Sequence, residues 1–217
     1  MKEPLVIIGG GGHAKVVIDI LQDAGVPLCC CVVADREVKE VLGVPVVGDD
    51  SVLPRLFADG IRSAMVAVGD NRKRMEITHA VRTLGFRLAN AISPRAVVSR
   101  SVRLGAGIAI MPGAVVNAGS QIGDGAIINT GATVDHDCVI GAYAHVAPGT
   151  NLAGKVRLGE GAFLGVGSRA IPGITVGAWT TVGAGGVVIR DLGENVVAVG
   201  VPAVVIRCGN REGASRG

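Results

Sequence analysis

The sequence predicts a left-handed parallel β-helix of hexapeptide repeats, preceded by a small Rossmann-like α/β domain. Three observations carry that prediction. Aliphatic side chains recur every six residues across residues 92–188. Strand-like and helix-like stretches alternate through the first 90 residues, around a Gly9-Gly10-Gly11-Gly12-His13 loop. The composition joins 34 glycines and 49% hydrophobic residues with only 2% aromatics.

The repeat is the strongest of the three. Starting at Ile92, each sixth position is aliphatic through Val98, Leu104 and Ile110 to Val176, Val182 and Val188, and only Ala170 is not large. Four residues after each of these stands a small or modest side chain, as at Ala114, Ala126, Cys138, Ala144 and Ala162. A period of six fits neither a helix nor an alternating strand. It fits a coil with three flat faces, one hexapeptide per face and 18 residues per turn. The large and the small position both point inward, and Gly directly after the aliphatic residue is read as the corner. Stacked coils pair at the ordinary strand spacing of about 4.8 Å. A core of repeating aliphatic layers explains the missing aromatics, and Cys138 reads as core filler.

Upstream, Leu5-Val6-Ile7-Ile8 reads as a buried strand and Ala14 to Asp23 as a helix. Strands follow at Cys29–Val33 and Met65–Val68, then a helix from Arg72 to Leu84 with Gly85 as its C-cap. Strands alternating with helices imply a small parallel sheet. Gly9, Gly11 and Ala14 satisfy G-x-G-x-x-A, and Asp35 lies about 20 residues on, as in a dinucleotide fingerprint. A stretch of this size has room for one mononucleotide half, so the loop is expected to hold the nucleotide part of a substrate rather than NAD. The expected division is 1–90 for this nucleotide-binding domain, 91–207 for the prism and 208–217 for a flexible tail.

Other classes have little support. The net charge of +3 is spread along the chain without a basic block, which argues against nucleic acid. No apolar run approaches a membrane span, and no signal peptide opens the chain. Five cysteines, three of them consecutive at Cys29, Cys30 and Cys31, give neither a disulfide framework nor a zinc spacing. Free thiols in the cytoplasm and no metal are expected.

Histidine is scarce: His13, His79, His136 and His145. His136 sits between two acids in Asp135-His136-Asp137, and neither it nor His145 occupies an inward aliphatic slot. A neutral imidazole is suited to take a proton from an amine or hydroxyl that attacks an acyl group. A carboxylate beside it fixes its tautomer and raises its basicity, and Asp135 and Asp137 are both eligible.

At this point the chain resembles a known family. The GGGGH loop, the hexapeptide repeat, Asn129 with Asp135-His136-Asp137, His145-Val146-Ala147-Pro148-Gly149 and Gly200-Val201-Pro202-Ala203 are similar to the sialic-acid O-acetyltransferase-like hexapeptide acyltransferases. Within that group the resemblance is to N-acetyltransferases of nucleotide-linked 4-amino-6-deoxy sugars of the bacillosamine and perosamine type, and it runs from Leu5 to Arg207. It implies a homotrimer with sites between neighbouring prisms, acetyl-CoA as cosubstrate and a nucleotide-linked amino sugar as acceptor, in surface polysaccharide or glycan synthesis. It implies His136 as general base, with Asp137 increasing its basicity. His145, Gly154, Val166 and Ala184 would line the acetyl-CoA. Gly11, Gly12, His13, Asp35, Arg36, Gly69 and Asn129 would bind the sugar nucleotide. The acetyl group would pass directly to the amine. Relatives often carry Glu after the base, where this chain has Asp137. Two other readings compete: a hydroxyl acceptor, as in sialic-acid O-acetylation, and a β-helix scaffold without catalysis, against which the histidine–acid cluster and the glycine loop both argue.

Overall fold

The computed structural model describes residues 3–35 and 37–208, so Arg36 and the expected tail from Gly209 onward lie outside the described residues. The N-terminal sheet contains β1 (Leu5–Ile8), β2 (Leu28–Val32), β3 (Glu40–Val41), β4 (Val44–Gly48), β5 (Ser63–Val66) and β6 (Arg87–Leu88), in the order β3-β4-β2-β1-β5-β6. All pairs are parallel except the β3–β4 hairpin. The helices are α1 (Gly12–Asp23), α2 (Leu53–Ala58) and α3 (Asn71–Thr83). The sequence predicts three strands here, Leu5–Ile8, Cys29–Val33 and Met65–Val68. The two-residue strands β3 and β6 are too short to leave a periodic pattern, and the five-residue β4 takes its place through the hairpin with β3 and its pairing with β2. Helix α1 also starts two residues before the expected Ala14, because Gly11 serves as its N-cap.

β1 is buried on both faces, as the central strand of a parallel sheet must be. Its residues divide with period two. Val6 and Ile8 pack with Leu53, Val81 and Phe86, under α2 and α3. Leu5 and Ile7 pack with Val17, Ile18 and Leu21 of α1. That second core continues into Ala91, Ala109, Met111 and Ile127 of the prism. One apolar cluster therefore cements α1 between its sheet and the β-helix, and each large aliphatic in it contributes about 1.5–3 kcal/mol relative to exposure.

From Ala91 the chain forms a left-handed parallel β-helix of two-residue strands. Each rung pairs with the one 18 residues on: Ala109 with Ile127, Val115 with Thr133, Gln121 with Val139. The first face runs through Ala91–Ile92, Ala109–Ile110, Ile127–Ile128, His145–Val146, Phe163–Leu164 and Thr181–Val182. The second includes Val115–Val116, Thr133–Val134 and Asn151–Leu152, and the third Gln121–Ile122, Val139–Ile140 and Arg157–Leu158. The interior is the expected column of large and small inward residues, from Ile110, Ala114 and Val116 to Val182 and Val188. At its open start, Leu104 is exposed because no coil precedes it. At the other end Val196–Val199 pairs antiparallel with Val204–Cys208, so Cys208 closes a strand rather than opening a tail.

The corners differ from the sequence reading. The left-handed residue is the third after the aliphatic position, as at Gly113 (φ +72°) and Gly131 (φ +63°), not the first. The glycine directly after the aliphatic residue is small for another reason. A Cβ on Gly141 would stand 2.6 Å from the carbonyl carbon of Gly159, and one on Gly159 would stand 2.4 Å from the amide of Ala178. Those glycines let successive coils nest.

Candidate active site

His136 and Asp137 lie on the edge between the second and third faces, between the rungs Thr133–Val134 and Val139–Ile140. Asp137 takes the left-handed corner position with φ +59°, where most other coils have glycine. Asp tolerates that conformation better than most residues, at a cost that active sites commonly carry. The bend brings Asp137 Oδ2 to 2.9 Å from His136 Nδ1, with the two side chains 58% and 54% exposed. Asp135 turns elsewhere: its Oδ1 accepts from the His136 amide at 2.7 Å and from Asn117 Nδ2 at 3.0 Å. The Asn117 bond, then the His136 amide, hold its carboxyl below the usual range. Of the two acids left open by the sequence, Asp137 is the one against the ring. Nδ1–H donating to Asp137 leaves Nε2 as the free acceptor.

The ring lies over Gly154, one coil on. A Cβ there would come within 2.5 Å of His136 Nε2. Gly154 thus makes room for the imidazole, which its expected place beside acetyl-CoA did not require. Cys138, next along the chain, is fully buried, with Sγ 3.3 Å from the Ala153 carbonyl, and burial raises its thiol pKa. It offers no nucleophile to this edge.

The second half of the site lies where the N-terminal sheet meets the first face. The chain leaves β1 for β2 on one side and returns to β5 on the other, a topological switch point of the kind that binds ligands beyond the strand ends. Gly9 follows β1 there with φ +128°, and a Cβ on it would strike the Ala67 carbonyl at 2.5 Å. Side chains on Gly11 or Gly12, at the N-terminus of α1, would meet only open space. Free first-turn amides beside such space suit a phosphate. Asp35, beyond β2, is exposed and accepts from the Glu37 amide at 3.0 Å.

His13 and Gly69 are neighbours: a Cβ on Gly69 would be 3.8 Å from that of His13. Beneath them His145, only 9% exposed, packs edge-on against Phe163 at 5.2 Å, and its Nε2 is 3.0 Å from Asn129 Nδ2. Burial first, then Arg74, push His13 down to about 4. Burial, then Arg74 and His13, push His145 down to about 3. Both rings are neutral near pH 7. Nε2 of His13 and Nδ1 of His145 have no hydrogen-bond partner among the described residues.

The chain matches proteins of known kind. The family model described as the PglD N-terminal domain matches residues 4–81, and the bacterial transferase hexapeptide model matches residues 119–154. A mutant of perosamine N-acetyltransferase from Caulobacter crescentus, solved with CoA and GDP-perosamine, is 57% identical over 94% of this chain and 97% of its own, with a TM-score of 0.92. The chain belongs to the hexapeptide-repeat sugar N-acetyltransferases. The acetyltransferase domain of PglB from Neisseria gonorrhoeae FA1090, solved with acetyl coenzyme A, is 40% identical over 95% of this chain and all of its own, with a TM-score of 0.88. WeeI from Acinetobacter baumannii AYE shares the fold at 22% identity and a TM-score of 0.80.

In this acetyltransferase the expected site residues fall on three places. His13, Gly69, Asn129 and His145 gather under the sheet, with Gly11, Gly12 and Asp35 around the strand ends. His136, Asp137 and Gly154 share the second–third edge. Val166 and Ala184 stand exposed, one coil apart, on the edge between the first and second faces. Sequence reasoning missed the seam that joins the halves. Arg74 donates to Gly125 O and Tyr143 O of the prism, Asn71 Nδ2 to Gly161 O, and Arg82 pairs with Asp124 at 2.6 Å. His79 of α3 stands edge-on to Tyr143 at 5.8 Å. The signal available was Tyr143 and Trp179 in corner positions, since aromatics are otherwise rare here.

Proposed function

We propose that this acetyltransferase moves the acetyl group of acetyl-CoA onto the 4-amino group of a nucleotide-linked 4-amino-6-deoxy sugar, with GDP-perosamine the first acceptor to test. The observation that carries the reading is an exposed imidazole held by Asp137 at 2.9 Å and bedded on Gly154, in a chain 57% identical to an enzyme solved with CoA and GDP-perosamine.

In the mechanism, His136 Nε2 takes a proton from the sugar ammonium or from the attacking amine, and the nitrogen adds to the thioester carbonyl. Asp137 stabilises the imidazolium that forms. The tetrahedral intermediate collapses, the C–S bond breaks, and CoA leaves with the proton from His136. The transfer is direct, since the one cysteine near the edge points into the core. The glycine loop and α1 hold the nucleotide phosphates, Asp35 the far end, and His13, Gly69 and Asn129 the sugar.

His136 stands on the edge between the second and third faces, whereas His13 and Gly69 stand where the N-terminal sheet meets the first face, so the site is read as shared between chains. A homotrimer closes the site: the edge of one prism with His136 and Gly154 meets the neighbour's edge with Val166 and Ala184, and the thioester lies between them. In that arrangement His145, buried beneath the sheet, reaches the cosubstrate from below. Unpaired thiols at Cys29, Cys30, Cys31 and Cys138 fit the reducing cytoplasm, where nucleotide sugars and acetyl-CoA occur.

The test is an assay with acetyl-CoA and paired acceptors, GDP-perosamine and its 4-hydroxy counterpart, with product read by mass spectrometry. Acetylation of the amine alone is expected. Acetylation of the hydroxyl compound alone would make the enzyme an O-acetyltransferase, and failure to bind acetyl-CoA by calorimetry would favour a scaffold.

A further inference from the structure

Arg74 is 1% exposed, the largest fully buried side chain in the structure. Its hydrogen bonds go to Gly125 O at 2.7 Å, Val68 O and Gly69 O at 3.0 Å, and Asn71 Oδ1 and Tyr143 O at 2.8 Å. A guanidinium owns five N–H groups, and these partners use them all. Val68 and Gly69 lie on the turn between β5 and α3, and Asn71 is the first residue of α3. The other two are prism corners with left-handed backbone, Gly125 at φ +63° and Tyr143 at φ +57°. None is a carboxylate. A buried cation is often no more stabilising than an apolar side chain of its size, so stability alone does not account for an arginine here.

We propose that Arg74 is a positioning residue for the acceptor: one guanidinium grips the Val68 and Gly69 carbonyls and the Gly125 and Tyr143 carbonyls, and so sets where the acceptor-binding turn stands against the prism. This rests on the acceptor being bound between sheet and prism, as argued above. Gly69 is the contact that transmits the effect. Its backbone lies against His13, and His145 sits below the pair. The charged and titratable groups that act on the two imidazoles are Arg74 on both and His13 on His145, while Asp70, the N-cap of α3, and Tyr143 of the prism act on Arg74. Burial first, and Arg74 second, lower the pKa of both rings, so Arg74 adds to what keeps them uncharged beside an incoming sugar.

Arg74→Lys tests this. It keeps the charge, but an ammonium has only three N–H donors and no rigid fork. In the folded variant, KM for GDP-perosamine should rise about tenfold or more, while KM for acetyl-CoA stays within about twofold. Asn71→Ala, which removes one partner and leaves Arg74 in place, should move the same KM in the same direction by less, and it serves if the lysine variant does not fold. A second readout needs no substrate. The imidazole resonances of His13 and His145 should shift in both variants, and those of His136, on another edge, should not. Folded Arg74→Lys with a wild-type KM for the amino sugar, or with unmoved His13 and His145 resonances, overturns the proposal. Wild-type protein that acetylates no nucleotide amino sugar would sink the functional reading instead, and leave the resonance test standing.

Discussion

The roles proposed for His136 and Asp137 rest on a few ångströms of backbone geometry. Asp137 pays for its place with a left-handed φ of +59°, which gives a separable prediction. Asp137→Gly relieves the strain and should leave melting stability equal or higher by up to about 1 kcal/mol. It also removes the imidazole's partner, so kcat should fall about tenfold or more. Loss of stability and activity together would argue that Asp137 is merely structural. Gly154→Ala is the complementary change. Its methyl would run into His136 Nε2, and a displacement near 1 Å can cost about 100-fold in turnover, with the coil otherwise intact by circular dichroism. His13 and His145 set a pH dependence. Their folded pKa values, about 4 and about 3, lie below the unfolded value of 6.5. The unfolded chain therefore binds more protons between those limits, and stability falls as pH drops from 6.5 toward 4, by a few kcal/mol in total. Denaturant melts across that range check it. A flat profile would mean that the rings are not buried neutral.

Among the elements, the coil was the most legible and its corner the least. The inward residues from Ile110 to Val188 repeat at fixed spacing because each coil meets the same triangular cross-section, so sequence alone places them. The corner was misplaced by two residues, since both glycine positions are small, one for conformation and one for contact with the next coil. Gly159→Ala separates those causes: φ there is not left-handed, yet the new Cβ would press on the Ala178 amide, and we expect a loss of about 1–3 kcal/mol. An unchanged melting temperature would show that the coils can part without cost. In the N-terminal sheet, β1, α1 and α3 were legible from their apolar runs and glycine loop. β3, β4 and β6 were not, because their form comes from pairing rather than pattern.

For the whole molecule, the proposed catalytic pair and the proposed acceptor loop were each visible in sequence, but their relation was not. Nothing in a linear pattern says that His136 stands on the edge between the second and third faces while His13 stands in α1, or that Arg74 binds the two halves through backbone carbonyls. The proposed trimer follows from that separation, and subunit mixing tests it. Co-refolded His136→Ala and His13→Ala chains should recover part of the activity that each lacks alone. No recovery in mixed trimers would place the whole site within one chain.

The base is the claim on which the rest depends. The most direct measurement is turnover of GDP-perosamine and acetyl-CoA by His136→Ala, beside calorimetric binding of acetyl-CoA to the same variant. The account predicts kcat lower by about 10²–10⁴-fold with cosubstrate affinity retained. A folded variant that turns over at the wild-type rate would contradict it.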